Sequence, residues 1–152
     1  MQTIAREAPA GGRAAGEPRP LQVVAACALV DADGRVLVQR RPEGRAMAGL
    51  WELPGGKLEA GEGVVTCLVR ELEEELGIVV EPACLAPLTF ASHVYETFEL
   101  LMPLWVCRRW RGEPAPREGQ ALRWVRPRAL RELEMPEADR PLIPFLEELL
   151  GP

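Results

Sequence analysis

The sequence predicts one α/β (α+β) sandwich, with helices packed on a mixed β-sheet. Three observations carry this expectation. Apolar, β-rich runs lie both before and after one strongly amphipathic helical stretch. A Pro-Gly-Gly break at residues 54–56 separates the first strands from that stretch. A second helical stretch closes the chain, so helices are available to cover the sheet.

The elements follow in order. Residues 1–20 are rich in Ala, Gly, Pro and Arg, and Ile4 is their only large aliphatic residue after Met1. Such a segment buries too little to offset its ordering entropy. It is expected to be a flexible tail, with the folded domain over residues 21–152. It has no apolar core of the signal-peptide kind, and Glu7 and Glu17 argue against an organelle transit peptide. Residues 21–30 form a β-rich run, Asp31-Ala32-Asp33-Gly34 is a turn signal, and residues 35–41 are a second strand. A Pro/Gly loop spans 42–49, and residues 51–53 are short and extended. The break at 54–56 is expected to end regular structure. Residues 62–76 read as a helix, because Val65, Leu68, Val69, Leu72 and Leu76 fall on one stripe at roughly 100° per residue. Gly77 is its natural stop. Residues 78–80 resume β character, residues 85–90 and 95–110 read as two strands, 112–119 as a loop, and 121–125 as the last strand. A helical turn is expected after Pro127, and residues 142–150 form the closing helix.

Composition narrows the function classes. The chain has 152 residues, 47% of them hydrophobic and 27% charged, which fits one folded domain. Its 18 basic residues face 23 acidic ones, for a net charge of −5. A protein that grips duplex nucleic acid through its phosphates would be basic, so no such partner is expected. The apolar run at 23–30 is far short of the roughly 20 residues a membrane span needs, so no membrane partner is expected either. Cys27, Cys67, Cys84 and Cys107 form no C-x-x-C pair. They read as small core-filling residues in a reducing cytoplasm and not as a zinc site or disulfides.

The chemistry concentrates in Gly56-Lys57-Leu58-Glu59-Ala60-Gly61-Glu62 and Arg70-Glu71-Leu72-Glu73-Glu74-Glu75-Leu76-Gly77-Ile78. Glu71, Glu74 and Glu75 stand at i, i+3 and i+4, so a helix places their carboxylates on one face, apart from the apolar stripe. Like charges there repel unless a cation neutralises them. Oxygen ligands without His or Cys suit a hard ion, Mg²⁺ or Mn²⁺. The Gly55-Gly56 turn allows close backbone approach and can present a carbonyl to a metal. Arg70 can orient a carboxylate or clamp a phosphate. Alone, the Glu run would be a solvated acidic surface. The full pattern decides otherwise: Gly, five residues, Glu, seven residues, then Arg-Glu-aliphatic-any-Glu-Glu-any-Gly-aliphatic. A chance match at average residue usage is on the order of 10⁻⁷.

On these residues the sequence resembles the Nudix hydrolases, and the signature from Gly56 to Ile78 is complete. The resemblance implies an α/β/α sandwich with a mixed sheet and a loop–helix–loop catalytic segment. It implies cleavage of a nucleoside diphosphate linked to another moiety, with divalent cations. Glu71, Glu74 and Glu75 would hold the metals, Gly55 would add its carbonyl, and Arg70 would orient the cluster. Lys57, Glu59 and Glu62 would support it. Further likeness at Arg40-Arg41, Met47-Ala48, 51–57, 110–114, 118–120 and 135–143 is to the MutT subfamily, over about residues 23–150. That subfamily hydrolyses nucleoside triphosphates to monophosphate and pyrophosphate, and it sanitises oxidised nucleotides such as 8-oxo-dGTP in the cytoplasm, serving DNA replication and repair. Glu118 matches a loop glutamate that adds a metal ligand or assists the base.

Arg41, Leu53, Gly56, Tyr95 and Asp139 fall at subfamily positions around the nucleotide. Tyr95 can stack on a base; it can equally be a strand aromatic facing the core. Leu53 replaces an aromatic often found there. Asp139 departs from the Asn of 8-oxoguanine-selective members. An ionised Asp only accepts hydrogen bonds, which suits the exocyclic amine of cytosine or 5-methylcytosine; a protonated one could donate to oxidised guanine. CTP and dCTP therefore stand beside 8-oxo-dGTP as expected substrates. ADP-ribose and dinucleoside polyphosphates are other substrates of the family, and some Nudix-like domains only bind nucleotides, commonly after losing signature acids that this chain keeps. His93 reads as a loop or strand-end residue, and Trp51, Trp105, Trp110 and Trp124 mostly as packing. The sequence does not distinguish a monomer from a homodimer.

Overall fold

A computed structural model describes residues 16–45 and 48–152. The expected tail over 1–15 and the Met47 match lie outside them. Arg19 and Pro20, at the end of the expected tail, already join the fold. Arg19 Nε donates to the Tyr95 carbonyl at 3.1 Å, and the Pro20 carbonyl accepts from the Glu99 amide at 3.0 Å.

The chain forms β1 (Leu21–Leu29), β2 (Val36–Arg40), β3 (Trp51–Glu52), β4 (Gly55–Lys57), α1 (Val64–Leu76), β5 (Leu85–Val94), β6 (Glu99–Cys107), β7 (Ala121–Val125) and α2 (Ile143–Leu150). Short 3₁₀ turns lie at Pro82–Cys84, Pro127–Glu132 and Glu137–Leu142. The main sheet has the order β4-β1-β6-β5 and is mixed: β1 runs parallel to β6 and antiparallel to β4, and β5 is antiparallel to β6. A smaller antiparallel sheet has the order β3-β2-β7.

Strand β1 is apolar at nearly every position because both its faces are covered. Val24, Ala26 and Ala28 join one core cluster with Leu100, Met102, Leu142 and Leu146, under α2. Ala25, Cys27 and Leu29 join the other with Leu68, Leu72 and Leu76 of α1. The layers are thus helix, sheet and helix, as expected.

Boundaries differ from the sequence reading in several places: β5 runs on to Val94 where residues 85–90 are expected, and β6 stops at Cys107 where 95–110 are expected. The Gly-Gly break is itself a strand: Gly55 and Gly56 pair with Ala26 and Ala25 of β1. No side chain fits there, because a Cβ on Gly55 would lie 1.9 Å from the Ala25 carbonyl oxygen. Residues 95–98 form the turn between β5 and β6 and not the start of a strand; the Tyr95 amide donates to the Phe98 carbonyl at 2.8 Å. Residues 78–80 contribute only a bridge, Val79 to Arg111. Helix α1 ends as expected at Gly77, which adopts φ 72° and donates to the Glu73 carbonyl. The four cysteines are free thiols, three of them buried. Among the described residues, no helix is long and apolar enough to cross a membrane.

Candidate active site

Helix α1 supplies the carboxylates. Cys67, Glu71 and Glu75 recur every four residues and stand in one row, beside a second row of Leu68, Leu72 and Leu76. Both rows are buried. Glu71 and Glu75 are therefore carried inward by the face that anchors the helix, while Glu74 is half-exposed. This corrects the expectation that all three acids share a face apart from the apolar stripe. Cys67 completes the buried surface, and Val65 and Val69 are only partly covered.

Burial governs the electrostatics. Glu71 is fully buried and its Oε2 accepts no hydrogen bond. Desolvation pushes its pKa up to about 7, Arg70 opposes that rise, and the charges of Glu74 and Glu118 reinforce it. Burial, and then the Glu71 charge, holds Glu75 well above the usual carboxylate range. The charges of Glu52 and Glu118 act on Glu75 in the same direction. Glu118 is raised as well, first by desolvation. Carboxyl groups from α1, β3 and the loop before β7 therefore raise one another's pKa values as like charges.

Arg70 binds the cluster's outer side. Its Nε and Nη2 hold both oxygens of Glu62, each at 2.8 Å, and Nη1 donates to Glu71 Oε1 at 2.7 Å and to Glu74 Oε2 at 3.4 Å. The hydrogen bond from Arg70 is the chief reason that Glu62 is held down to about 2. Glu59 lies 3.7 Å from the same guanidinium. Nη2 also reaches the Lys57 carbonyl at 3.3 Å, so Lys57 enters the site through its main chain.

Strand β4 closes the inner side. The Gly55 amide donates to Glu75 Oε2 at 3.1 Å. A Cβ on Gly56 would meet the Glu71 carboxyl carbon at 2.5 Å, so glycine is required for Glu71 to lie where it does. Arg41 and Glu52 form a buried ion pair at 3.3 Å, which brings Arg41 beside the acids.

Of the other expected nucleotide residues, Leu53 and Tyr95 meet the core cluster on the α2 side of the sheet. Leu53 belongs to it with Phe98, Met135 and Ala138, and Tyr95 packs against it. The Tyr95 ring stacks on Phe98, with centroids 4.7 Å apart, and His93 at the end of β5 lies 4.6 Å from Tyr95. Asp139 is buried directly after Ala138. Trp51 carries Arg40 over its ring at 5.4 Å, while Trp110 and Trp124 stack on each other.

The expected metal ligands are not yet a finished cage. Among the described residues, no three His, Cys, Asp or Glu side chains already converge on a point where an ion could sit. Arg70 holds Glu71 Oε1, while Gly55 and Gln39 hold the two Glu75 oxygens. The donor set nonetheless fits a hard cation. It is all oxygen, it is crowded with like charge, and it contains a buried carboxylate oxygen that accepts no hydrogen bond. Sequence reasoning missed Gln39, Gln120 and Glu52, which all contact or act on Glu75 or its partners. The available signal, for Gln39 alone, was a neutral polar residue directly after the apolar run 36–38.

These features define a hydrolase class in which a buried carboxylate helix is set against a glycine strand. The NUDIX domain matches residues 25–144, and the chain belongs to the Nudix hydrolase family. It is 37% identical over 127 residues to the 8-oxo-dGTP diphosphatase of Haemophilus influenzae, across 79% of this chain and 87% of that protein. It is 38% identical over 125 residues to the CTP pyrophosphohydrolase of Escherichia coli, across 81% of this chain and 88% of that one. Among solved structures, a MutT from work on Aliivibrio salmonicida and Vibrio cholerae superposes with a TM-score of 0.72 at 30% identity, covering 85% of this chain and 98% of that one. The E. coli ORF135 protein superposes with a TM-score of 0.75 at 30% identity, covering 86% and 91%.

Proposed function

We propose that this protein is a Mg²⁺-dependent nucleoside triphosphate pyrophosphohydrolase of the MutT type that removes oxidised nucleotides such as 8-oxo-dGTP. The relatives named 8-oxo-dGTP diphosphatase and CTP pyrophosphohydrolase support the substrate class. The observation that carries the reading is Glu71 Oε2, a buried carboxylate oxygen that accepts no hydrogen bond and stands among other acids.

Glu71, Glu74, Glu75, Glu118 and the Gly55 carbonyl would hold Mg²⁺, with Mn²⁺ able to replace it. When bound, these cations would supply charge neutralisation for the triphosphate, polarisation of its phosphoryl oxygens and acidification of water. The chain's own groups do the rest. Arg70 fixes Glu71 and Glu62, so the cluster cannot relax outward when substrate charge arrives. Gly56 keeps the backbone open beside Glu71, and Lys57 anchors Arg70 through its carbonyl. Where it does not ligate the metal, Glu118 instead assists as the base that takes a proton from the attacking water. Attack at the β-phosphorus releases the nucleoside monophosphate and leaves pyrophosphate. Arg41 faces the phosphates, while Leu53, Tyr95 and Asp139 contact the base. The free thiols suit the reducing cytoplasm.

The test is a product assay with Mg²⁺ on 8-oxo-dGTP, dGTP, CTP, dCTP, 5-methyl-dCTP, ADP-ribose and a dinucleoside polyphosphate. Monophosphate plus pyrophosphate, fastest from 8-oxo-dGTP, is the expected result. Fastest turnover of a cytidine nucleotide keeps the chemistry and reassigns the base, an outcome that the carboxylate at Asp139 specifically favours. Turnover of ADP-ribose or the dinucleoside polyphosphate alone, or of nothing, overturns the reading.

A further inference from the structure

We infer that Gln39 and Gln120 are positioning residues: two buried amides that lock Glu75 and the Glu118 loop into one rigid frame for cation binding. The inference rests on the proposed role of Glu75 as a metal ligand.

Both side chains are buried, at 1% and 4% exposure, although neither carries a charge or belongs to the Nudix signature. Gln39 lies on β2, paired with Glu52 on one side and Leu122 on the other. Its Nε2 donates to Glu75 Oε1 at 3.2 Å. Its Oε1 accepts from Gln120 Nε2 at 3.3 Å. Gln120 Nε2 also donates to the Glu75 main-chain carbonyl at 2.9 Å, and Gln120 Oε1 accepts from the Glu118 amide at 2.9 Å.

The direction of this chain is forced. The Glu118 N–H only donates and the Glu75 main-chain carbonyl only accepts, so Gln120 must turn its oxygen to the one and its NH₂ to the other. That NH₂ also faces Gln39, which must answer with its oxygen, and the Gln39 NH₂ then points at Glu75 Oε1. Reversing either amide sets like groups against each other, in a site too buried for water to relieve it. The chain thus has one orientation. It ties three separate segments together: β2, the C-terminal turn of α1 and the loop before β7. It also uses one lone pair of Glu75 Oε1 and leaves another for a cation. Partners that orient a metal ligand in this way typically contribute 10–100-fold to metal affinity or activity.

Gln39→Met and Gln120→Met remove the hydrogen bonds at nearly constant volume. Mn²⁺ binding without nucleotide, read by electron paramagnetic resonance, is expected to weaken about 10-fold or more in Gln39→Met. With nucleotide, kcat is expected to fall by a similar factor while KM stays within about threefold. The double variant is expected to be no worse than Gln39→Met alone, because both substitutions cut one chain. Gln39→Asn keeps the amide but shortens it by one methylene, so it is expected not to rescue. Folded variants with wild-type Mn²⁺ affinity overturn the inference, as do effects that add. Should the variants fail to fold, the wild-type side-chain amide resonances decide. Slow hydrogen exchange at both, and a shift of Gln39 Nε2–H on adding Mg²⁺, support the frame; fast exchange without a shift overturns it. Glu75→Gln serves as the control. If it retains Mn²⁺ affinity, the metal-ligand reading itself fails; if it loses affinity while Gln39→Met does not, only the positioning inference fails.

Discussion

A methyl group on Gly56 would sit 2.5 Å from the carboxyl carbon of Glu71, so the bare backbone of one residue and the position of the other are a single feature. The neighbouring glycine is constrained differently. A Cβ on Gly55 meets main chain, the Ala25 carbonyl at 1.9 Å, at a φ of 153° that L side chains rarely adopt. Two adjacent glycines thus predict two different failures. Gly56→Ala is expected to fold, since a side chain can yield where backbone cannot, and to lose about 10-fold or more in kcat by displacing Glu71. Gly55→Ala is expected to break the β4–β1 pairing and to yield little folded protein. Circular dichroism melts beside turnover separate the two; a Gly56→Ala enzyme of normal kcat would contradict the assigned place of Glu71.

Glu75 tests the site directly. It touches Gly55 and Gln39 and is buried, as Glu71 is. Glu75→Gln preserves its shape and removes its charge. Activity is expected to fall at least about 100-fold, the order for losing a metal ligand or base, with the fold retained. The melting temperature without metal is expected to rise or hold, because a buried like charge has gone. Near-normal turnover would remove Glu75 from the chemistry.

The metal-free protein should be less stable at pH 8 than at pH 5. Glu71 has its pKa pushed up to about 7 in the folded state, against 4.5 unfolded. Between those values the folded chain holds more protons than the unfolded one, so stability falls as pH rises through the window. Glu75 is raised too and acts in the same direction. Glu62 acts oppositely and lower down: held to about 2 by Arg70, it contributes stability above pH 4.5 that is lost as pH falls toward 2. Mg²⁺ should reverse the upper trend, because it competes with the protons on Glu71 and Glu75 and stabilises most when they are off. Melting curves from pH 5 to 8, in chelator and in excess Mg²⁺, check this. Glu71→Gln should flatten the chelator series; a wild-type series that rises with pH refutes the assignment.

Much of this architecture was legible from spacing. The stop of α1 at Gly77, the bounds of β7 and the β character of β1 are all legible there. The strand at β4 was not legible, because glycine carries no β signal; β1 imposes it from outside through Ala25 and Ala26. The depth of Glu71 and Glu75 was hidden for a related reason. Helical spacing shows which residues share a face, not whether that face is wet, and the glycine strand makes room for two acids inside. Gln39 and Gln120 are 81 residues apart, and only the pairing of β2 with β7 brings them together.

The choice of base turns on Asp139. It is buried and follows Ala138, a residue of the core cluster that also holds Leu53 and receives Tyr95. An ionised carboxylate accepts from the amine of a cytosine but cannot donate to the oxygen of oxidised guanine, whereas an amide of the same size does both. If Asp139 meets the base ionised, Asp139→Asn is expected to raise kcat/KM for 8-oxo-dGTP relative to CTP by about 10-fold, within the range that one matched or unmatched hydrogen bond commands in a specificity site; if it meets the base protonated and already donates, the ratio is expected to hold. Tyr95→Leu should cost both substrates alike, about 10-fold, because stacking reads the face of a base and not its edge. Competition assays with both nucleotides measure these ratios. An Asp139→Asn enzyme whose ratio falls would place base selection elsewhere, and the stacking pair Tyr95 and Phe98 would be the next residues to vary.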